Sequence, residues 1–374
     1  MKNIRTSTFS AHRDSWVEVN VDKISHNIKE LKKCIPDDKT FLAVVKADAY
    51  GHGAAMLAPI MIASGVDMFG VASVDEGLNL RENGIDTDIL VLGAIPVWAV
   101  PSAIENNITV TIFSEEHLKS CKLAYERMGE PVKAHIKIDT GMNRIGVPHN
   151  KAIEFINKVQ NLDYINLKGI FSHLANSENF DKTQQQIDIW ENILSNINTT
   201  GLMVHILNTA GIISSNIFKC TYTGVRAGIG LYGLYPDLVK NSQKIDLKQA
   251  MSVKSRIINI HEIQKGDGVS YGHTFIADRP TKIATVPLGY ADGIPRGISN
   301  KFYGNLNGKI IKQVGNIAMD QMMFDITGVE AKTGDIITLT DEELPLEKWA
   351  EAANTIHYEI LCRLKARLAR VYTR

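Results

Sequence analysis

Eight short apolar segments, separated by stretches with helical spacing, fill the first two thirds of the sequence and constrain its fold more than any other feature. They are rich in Val and Ile and do not alternate with polar residues, which is typical of strands buried on both faces of a parallel sheet. The segments are Phe41–Lys46, Met68–Ser73, Asp88–Gly93, Ile108–Phe113, Ala134–Asp139, Leu167–His173, Met203–Asn208 and Tyr222–Arg226. Eight strands with intervening helices predict an N-terminal (β/α)8 barrel of the α/β class, with an open doubly wound sheet as the alternative.

The spacing changes after about Lys244, where strand-like segments are separated by turns that contain Gly and Asp. These segments are Ser252–Ile260, Lys282–Leu288, Lys309–Val314, Met322–Thr327 and Asp335–Leu339. Only Leu346–Asn354 has helical spacing in this region. The pattern therefore predicts a C-terminal, mainly β-strand domain after the barrel.

This change in spacing gives the predicted domain boundaries. Residues 1–244 form the predicted barrel domain, and residues 245–374 form the predicted β domain. An extra strand-like segment, Trp16–Asn20, precedes the eight barrel segments and need not belong to them. Residues 1–20 are therefore the part of the first domain that can instead pack on the second.

The composition excludes several classes of protein. With 41 basic and 41 acidic residues in 374, the chain has no charge excess to favour nucleic acid or an anionic membrane. Its four cysteines are far apart, which predicts reduced thiols in the cytoplasm. The longest apolar stretch, Ala54–Val74, contains Pro59, Gly65 and Asp67, so no membrane span is expected. The eleven histidines form no motif with metal-ligand spacing, so no metal site is predicted.

Polar side chains follow five of the eight predicted strands. Barrel enzymes carry their working groups at the carboxyl ends of the strands, which lie on one rim. The positions are Lys46, Asp139 to Arg144, His173, Asn208 with Thr209, and Arg226. One such residue is usually a solvated or capping side chain, whereas five on one rim predict a functional site.

Lys46 is the unusual member of this set because it ends a wholly apolar segment. Burial disfavours the ammonium form and lowers the pKa of a lysine, which leaves a neutral amine able to form a Schiff base. A lysine whose amine reaches solvent at the barrel mouth explains the sequence equally well. The residue alone leaves both interpretations open.

A glycine-rich loop follows the eighth predicted strand, with Gly228, Gly230 and Gly233 in the G-x-G-x-x-G spacing. In a dinucleotide-binding fold this motif belongs to the first strand–helix unit, whereas here it follows the eighth. The loops after the last two strands of a barrel instead bind phosphate through backbone N–H groups. A lysine amine facing such a loop suggests pyridoxal phosphate.

Nine segments spread over nearly the whole chain carry a family resemblance. In the predicted barrel they are Ala43–Gly53, Asp139–Arg144, Ser172–His173, His205–Thr209 and Val225–Gly233. In the second domain they are Val269–Gly272, Pro287–Gly293, Ala318–Gln321 and Tyr358–Ile360. Together they closely resemble the alanine racemase family. The resemblance implies an isomerase that interconverts L-alanine and D-alanine with pyridoxal 5'-phosphate and supplies peptidoglycan precursor.

The resemblance implies a two-base mechanism on a pyridoxal phosphate aldimine, because one base on one face cannot invert the α-carbon. Lys46 is implied as the lysine bonded to the cofactor and as the base on the D-face. Tyr271 is implied as the second base, reaching in from the partner subunit of a head-to-tail homodimer. A phenol has a pKa of about 10 and is a weak base at neutral pH. His205 and Arg296 are therefore implied as supports for this tyrosine.

The remaining cofactor contacts are also implied by the resemblance. Arg226 faces the pyridine nitrogen, and His173 orients Arg226. Because an arginine keeps its proton, this contact leaves the ring nitrogen unprotonated and limits transamination. The other implied cofactor-binding residues, most of them at the phosphate, are Tyr50, Asn208, Thr209, Gly228, Ile229 and Tyr358.

Further implied residues bind the substrate and form the entrance. Arg144 contacts the phenolic oxygen of the cofactor and the substrate carboxylate, and Lys137, a position carbamylated in some relatives, steadies this arginine. The backbone N–H of Met319, which also reaches the partner's site, meets the substrate carboxylate. Tyr290 and Tyr358 narrow the entrance, which limits the substrate side chain to about a methyl group.

Some positions depart from the family pattern and keep alternatives open. Asn143, Asn316 and Ala318 stand where Gly, Arg and Cys are common, so a broader-specificity racemase acting on serine, lysine or others is one alternative. A decarboxylase is disfavoured, because those enzymes carry an acidic residue where this chain has Arg226. A non-catalytic barrel protein that carries pyridoxal phosphate is the second alternative, although such proteins lack a β domain with Tyr271.

Overall fold

The computed structural model describes residues 12–177, 179–215, 217–236 and 245–374. Within these ranges the chain divides into two compact units. The barrel unit comprises Ile24–Ala49 and Gly53–Leu247, and the sheet unit comprises residues 12–23, Tyr50–His52 and Lys248–Arg374. The predicted boundary between residues 244 and 245 lies at the edge of a segment outside the described residues, so it stays a prediction.

The described residues contain twenty strands, numbered here along the chain. They are β1 (Ser15–Asn20), β2 (Thr40–Val44), β3 (Met68–Val71), β4 (Asp88–Val91), β5 (Ile108–Ile112), β6 (Val132–Asp139), β7 (Val147–Pro148), β8 (Ile165–Phe171), β9 (Met203–His205), β10 (Gly224–Ala227), β11 (Met251–Arg256), β12 (Asn259–Ile263), β13 (Gly268–Val269), β14 (Phe275–Ile276), β15 (Thr281–Val286), β16 (Tyr303–Leu306), β17 (Lys309–Val314), β18 (Met322–Asp325), β19 (Ile336–Thr340) and β20 (Ala369–Thr373).

Eight parallel strands form the barrel unit, in the order β10-β2-β3-β4-β5-β6-β8-β9, with β7 paired to β6. Two backbone hydrogen bonds join the ends of this series: the Thr223 N–H donates to Val204 O at 2.8 Å, and the Arg226 N–H donates to Leu207 O at 3.0 Å. The sheet therefore closes on itself, which confirms the predicted barrel and excludes the open doubly wound sheet. Its strands are mostly buried, as their apolar sequences predict.

Helices surround the strands, and several begin at a capping side chain. Ser73, Ser114, Asn179 and Asn208 each accept a hydrogen bond from the N–H three residues further on, which satisfies an N–H group left unpaired in the first turn. The described helices of the barrel unit are Val21–Lys32, Ala54–Ala63, Val74–Glu82, Val100–Glu105, Glu115–Met128, His149–Gln160, Phe180–Leu194 and Thr209–Ile213, the first of which begins in the sheet unit.

The sheet unit is built on nine strands in the order β12-β15-β18-β17-β16-β19-β11-β1-β20. β1 pairs antiparallel with β11 and parallel with β20, and its buried residues alternate with half-buried ones. β13 and β14 form a separate two-stranded hairpin. The mainly β-strand character predicted for the C-terminal region is confirmed.

Two helices, Glu347–Ala353 and His357–Arg363, follow β19. The sequence predicted only the first, so the expectation of a single helix in this region is wrong. The second helix spans seven residues and buries only His357, Ile360 and Leu361, which is too short a pattern to show a helical period. Among the helices of the described residues, none combines the length and the apolar character needed to cross a membrane.

Candidate functional site

The barrel unit gathers polar side chains at the carboxyl ends of its strands. Parallel strands share one direction, so the residues that end them or follow them lie on the same rim. Lys46 follows β2, Lys137 and Asp139 lie at the end of β6, His173 follows β8, Asn208 follows β9, and Arg226 lies in β10. These positions match the rim that the sequence pattern predicted.

The chain makes a left-handed turn directly after Lys46. Residues 47–50 all have φ between 52° and 55°. This conformation costs an L-residue roughly 1–2 kcal/mol, so a run of four persists only where other groups hold it. The sequence predicted a strand through Lys46, whereas the strand ends at Val44 and the turn sets the direction in which the lysine leaves the backbone.

Two carboxylates hold this turn. Glu76 accepts the Ala47 N–H at Oε1 and the Ala72 N–H at Oε2, both at 2.7 Å. Asp48 accepts the Ala54 N–H at Oδ1, also at 2.7 Å. Sequence reasoning missed Glu76, because a carboxylate that accepts main-chain N–H groups leaves no motif in the sequence.

Lys137, rather than Lys46, is the buried lysine of the rim. Lys46 is exposed, so the interpretation of that residue as a buried amine is wrong. Lys137 is 5% exposed, and its Nζ lies 4.9 Å from the centre of the Phe171 ring. Burial, followed by the charges of Arg226 and Arg144, lowers the pKa of Lys137 to about 7. A large fraction of this side chain is therefore neutral near pH 7.

Arg226 is the buried cation of the barrel. Its Nη1 donates to Nδ1 and O of His205 at 2.9 and 3.0 Å. Its Nη2 donates to Ser172 O at 2.7 Å, to His173 Nδ1 at 3.2 Å and to Ile206 O at 3.2 Å. Burial lowers the pKa of Arg226 to about 9, so the group remains charged at neutral pH. Its described hydrogen-bond partners are carbonyls and imidazoles, which suits the guanidinium to an electron-rich or anionic ligand.

His205 is fully buried between Arg226 and His135. Because Arg226 can only donate, His205 Nδ1 must accept, and the proton on its Nε2 is donated to His135 Nδ1 at 2.8 Å. Burial, and then the charge of Arg226, lowers the pKa of both histidines, that of His135 to about 3. Both ring nitrogens of His205 are thus used inside the barrel, so its implied support of Tyr271 stays a prediction and would not be a direct hydrogen bond from this ring.

His135 is a supporting residue that sequence reasoning missed. Gly169 on the neighbouring strand makes room for it, because a Cβ there would lie 2.6 Å from His135 Cε1. A signal was present in the sequence, because this segment departs from the non-alternating pattern described for the barrel segments: Lys133, His135, Lys137 and Asp139 alternate with apolar residues along β6. Such alternation places polar side chains on one face of a strand.

The pKa of His173 reflects the positive charges of the rim. Its pKa lies well below the ordinary value because of burial, and then because of the charges of Arg226, Lys137, Arg144 and Lys46. Its Nδ1 accepts from Arg226, so the neutral ring carries its proton on Nε2. Four basic groups act on one imidazole, which makes this rim attractive to an anion.

Asp139 shapes the loop that carries Arg144. Its Oδ1 accepts the N–H groups of Gly141 and Asn143 at 2.9 and 3.0 Å. Asn143 has a φ of 53°, a conformation that Gly and Asn adopt more readily than other residues. This backbone therefore suits the Asn that the chain has at this position. Arg144 follows on the same loop and is exposed.

Thr209 and the glycine-rich loop lie together in the barrel unit. The Gly228 N–H donates to Thr209 Oγ1 at 2.9 Å, and a Cβ on Gly230 would lie 2.7 Å from Thr209 Cγ2. Asn208 caps the short helix that begins at Thr209, and Ile229 begins a turn of 3-10 helix. Hydroxyl and backbone N–H donors on closely approaching backbone are the groups that bind phosphate.

In the sheet unit, Tyr271 lies at the tip of the hairpin formed by β13 and β14. Its side chain is 75% exposed. A tyrosine combines a large apolar ring with one hydroxyl, and in this exposed position it suits a contact surface.

Tyr50 and Tyr358 lie close together in the sheet unit. Their ring centroids are 6.2 Å apart, with the ring planes at 53°. Tyr50 is buried, and burial, followed by the neighbouring Tyr358 and Cys362, raises the pKa of its phenol. The Tyr50 hydroxyl therefore keeps its proton at neutral pH and can donate it in a hydrogen bond.

Tyr290 and Met319 lie on adjacent loops of the sheet unit. The Tyr290 N–H donates to Ala318 O at 3.1 Å. A Cβ on Gly289 would collide with the carbonyl oxygens of Ala318 and Met319, so only glycine allows this close approach. Met319 is 53% exposed, and Arg296, also exposed, begins a separate 3-10 turn.

Across the ranges that the structure describes, no three His, Cys, Asp or Glu side chains come together in a way that could hold a metal ion. Cys121 is buried and Cys220 is half-buried, and neither thiol is activated. Burial raises the pKa of Cys121 and of Cys220 to about 12, the latter with a contribution from Glu191, so their thiols stay protonated at neutral pH.

The chain matches known proteins along nearly its whole length. The family model described as alanine racemase, N-terminal domain, matches residues 19–236, and that of the alanine racemase C-terminal domain matches residues 250–372. The chain is 38% identical to the alanine racemase of Nostoc sp. (strain PCC 7120), over 96% of this chain and 95% of that protein. It is 36% identical to the alanine racemase of Clostridium novyi (strain NT), over 97% and 96%.

Solved structures give the same result. An alanine racemase of Clostridium difficile 630 superimposes with a TM-score of 0.92 at 36% identity, covering 96% of both chains. The alanine racemase of Bacillus anthracis with bound L-Ala-P gives a TM-score of 0.88 at 33% identity, covering 97% of this chain and 96% of that one. Matches of this extent and identity show that the chain belongs to the alanine racemase family.

Proposed function

We propose that this protein interconverts L-alanine and D-alanine, with pyridoxal 5'-phosphate as its cofactor. The observation that carries the proposal is the basic rim of the barrel, where buried Arg226 has neutral partners and its charge acts together with those of Lys46, Lys137 and Arg144. Family membership supports alanine as the substrate, since the relatives at 38% and 36% identity are alanine racemases.

The donor groups of the chain fit this cofactor. A phosphate monoester is an anion, and the Thr209 hydroxyl and the Ile229 backbone N–H are the proposed donors to it. Gly228 contributes by donating its N–H to Thr209 Oγ1, which leaves the hydroxyl proton of Thr209 for the phosphate, and Gly230 keeps the backbone close. Asn208 positions Thr209 by capping its helix. The protonated Tyr50 phenol and its neighbour Tyr358 are the proposed further phosphate donors. Lys46 would bond covalently to the cofactor's carbonyl carbon, and Arg144 would contact its phenolic oxygen.

When bound, pyridoxal phosphate withdraws electron density from the α-carbon of the attached amino acid and makes its hydrogen acidic. Arg226 would set how strongly, because it would donate a hydrogen bond to the pyridine nitrogen while keeping its own proton at neutral pH. His173 and His205 hold the guanidinium plane, since both accept from it at Nδ1. This arrangement limits the time for which the α-carbon lacks a proton, and with it transamination.

Inversion requires proton exchange on both faces of the α-carbon. Lys46 Nζ removes or returns the proton on the face that D-alanine presents, and Tyr271 Oη does so on the opposite face. We propose that the protein is a homodimer in which each site receives Tyr271 and Met319 from the other subunit. The 75% and 53% exposure of these side chains in the single chain accords with this proposal. His205 and Arg296 are the proposed supports for Tyr271.

The proposed substrate contacts favour a small amino acid. Arg144 and the Met319 N–H would hold the substrate carboxylate, and Tyr290 and Tyr358 would restrict the side chain to about a methyl group. The neutral thiols of Cys121 and Cys220 accord with a reducing cytoplasm, where D-alanine would supply peptidoglycan precursor. A panel of alanine, serine and lysine measures how strict this preference is.

The test compares Lys46→Ala with Lys119→Ala, an exposed lysine on the helix Glu115–Met128. Purified wild-type protein loaded with pyridoxal phosphate is incubated with L-alanine, and D-alanine is quantified by chiral chromatography. We expect the wild type and Lys119→Ala to convert L-alanine. Both should also show the absorbance of a lysine–cofactor imine, which borohydride abolishes. Lys46→Ala should show neither the conversion nor this absorbance. A wild type that leaves L-alanine unchanged, or a Lys46→Ala variant that still converts it, would contradict the proposal.

A further inference from the structure

We infer that Asn316 and Ser270 form a clamp that aims Tyr271, which makes them positioning residues for proton exchange on one face of the substrate. This inference rests on the proposed function, because it assigns a task to the tyrosine proposed as the second base. It concerns Asn316, a residue to which the family resemblance assigns no role. All of the contacts that carry it lie within the sheet unit.

The clamp consists of two reciprocal hydrogen bonds. Ser270 Oγ donates to the backbone carbonyl oxygen of Asn316 at 2.6 Å. The Asn316 side chain reaches back, and its Nδ2 donates to the carbonyl oxygen of Tyr271 at 2.7 Å. Two short hydrogen bonds between the same two segments fix both the distance between them and their relative rotation.

The backbone that the clamp holds is strained. Ser270 has a φ of 62° and a ψ of −172°, a combination that is populated almost only by glycine. Gly272 and His273 follow with φ values of 71° and 43°. Backbone in such regions persists where neighbouring groups over-determine it, and the two clamp bonds are hydrogen bonds that hold this backbone at Ser270 and Tyr271.

The segment that carries Asn316 is itself firmly held. Gln313 is fully buried and donates from Nε2 to Gly315 O at 2.8 Å. Asn300 accepts the Gly315 N–H at 2.6 Å and donates to Thr274 Oγ1 at 3.1 Å. Through Asn300 and Gly315, these bonds connect Thr274, which lies beyond the hairpin tip, to the buried Gln313 amide. The segment that carries Asn316 is therefore held in place.

Packing also restricts this segment. Gly315 has a φ of 76°, and a Cβ there would lie 2.6 Å from Val269 O and 3.1 Å from Ser270 Cβ. The strand β17 therefore ends in direct contact with the backbone that leads into Tyr271. Because the tyrosine ring is 75% exposed, its direction depends on the backbone from which it projects rather than on packing around the ring.

The consequence is specific to one face of the α-carbon. Loosening the clamp spreads the Tyr271 phenol over more orientations, which slows proton transfer at its Oη. Proton removal from D-alanine at Lys46 Nζ does not involve this hairpin. The expected signature is exchange without inversion: D-alanine takes up solvent deuterium at its α-carbon but converts slowly to L-alanine.

The experiment follows both processes in deuterated water with the loaded enzyme. Asn316→Asp removes the amide donor at constant size, Asn316→Ala removes the side chain, and Asn259→Asp is the matched control at an exposed position of the same sheet. We expect both Asn316 variants to slow inversion about tenfold or more, with the KM for alanine and the α-deuterium exchange of D-alanine within about twofold of wild type. Asn259→Asp should match the wild type.

Ser270 separates the hydrogen bond from the strain. Ser270→Ala loses the bond and keeps the strained backbone, whereas Ser270→Gly loses the bond in a residue that tolerates this backbone. We expect both to raise the ratio of exchange to inversion, Ser270→Ala more so. In cofactor-free protein, amide hydrogen exchange of residues 268–276 should quicken in Asn316→Ala and stay unchanged in Asn259→Asp.

The outcomes distinguish this inference from the proposed function. Suppose that the wild type racemises alanine and that the Asn316 and Ser270 variants show the same ratio of exchange to inversion as the wild type. This result overturns the clamp and leaves the proposed function intact. The clamp is also overturned if exchange and inversion fall together in Asn316→Ala, or if Ser270→Gly inverts alanine at the wild-type rate. A wild type that neither exchanges nor inverts alanine overturns both.

Discussion

Arg226 fixes the protonation of two histidines at once. It donates to Nδ1 of His173 and of His205, so both neutral rings carry their proton on Nε2. His205 passes this constraint on to His135. These acceptors offset the desolvation of the buried guanidinium. Nη1 and Nη2 are used in these hydrogen bonds, so the Nε–H is the donor that can act on a ligand.

The pKa of Lys137 predicts how stability changes with pH. Its pKa is about 7 in the folded chain against an ordinary 10.5, so between these values the unfolded chain binds one proton more. The free energy of unfolding therefore rises with pH from about 7 upwards through this group, and the contribution is constant at lower pH. We measure the free energy of unfolding by urea titration for the wild type and for Lys137→Met. We expect the wild-type value minus the Lys137→Met value to increase between about pH 7 and pH 9.

The control for this prediction is Lys133→Met, at a half-exposed position on the same strand. Bicarbonate is left out of the buffers, because a neutral lysine amine adds CO2 with release of a proton. Wild-type and Lys137→Met profiles that run parallel over this pH range would show that Lys137 does not titrate near neutrality.

At the scale of elements, the left-handed turn at residues 47–50 is the feature on which the barrel site depends. It joins β2 to the next helix and carries Lys46 at its start. Glu76 lies in the first turn of the helix Val74–Glu82, yet its carboxylate bridges the ends of two neighbouring strands. One side chain thereby couples the direction of Lys46 to the helix that covers β3 and β4.

Glu76→Gln should weaken this turn, because one of its two oxygen acceptors becomes an N–H donor. We expect the free energy of unfolding to fall by about 1–3 kcal/mol. We also expect α-deuterium exchange of D-alanine to slow about tenfold, since Lys46 is displaced. Denaturant titration and mass spectrometry of alanine in deuterated water measure the two effects. Glu82→Gln, at the exposed end of the same helix, should change neither, and wild-type exchange in Glu76→Gln would refute the prediction.

The barrel and its rim could be predicted from sequence because buried parallel strands leave long apolar segments and the residues after them share one end. The turn after Lys46 could not, because Ala, Asp and Tyr have no intrinsic preference for a positive φ. Its cause lies in Glu76, far along the chain. The hydrogen bonds of His205 could not be predicted for a related reason: a strand position gives the face of a side chain, but the partners of each ring nitrogen depend on neighbouring strands.

For the whole molecule, charge is balanced overall and concentrated locally. Forty-one basic residues offset 41 acidic ones, yet Lys46, Lys137, Arg144 and Arg226 act together on one imidazole. Such a local excess attracts an anionic cofactor and an amino-acid carboxylate without a general affinity for polyanions. The proposed second base lies in the other compact unit, on an exposed hairpin.

The proposed homodimer predicts complementation between two inactive variants. Lys46→Ala and Tyr271→Phe should each abolish racemisation alone. In a hybrid dimer, one site would combine Lys46 from one subunit with Tyr271 from the other, so co-refolded mixtures should recover about a quarter of wild-type activity. Chiral chromatography of the mixtures measures this, with Lys119→Ala plus Tyr271→Phe as the reference mixture. No recovery in mixtures shown to contain hybrids would place both bases in the same subunit.

The position of β1 between β11 and β20 has a consequence for biosynthesis. A ribosome makes this strand before the strands of the barrel, but its two neighbours in the sheet emerge only after those strands have been made. Until then the backbone N–H and C=O groups along its edges have no native partner, and the nascent chain must keep them from pairing elsewhere. Because the chain is made in order, β1 can complete its pairing only after β20 has been made. A ribosome stalled before residue 369 would leave the β20 side of β1 unpaired.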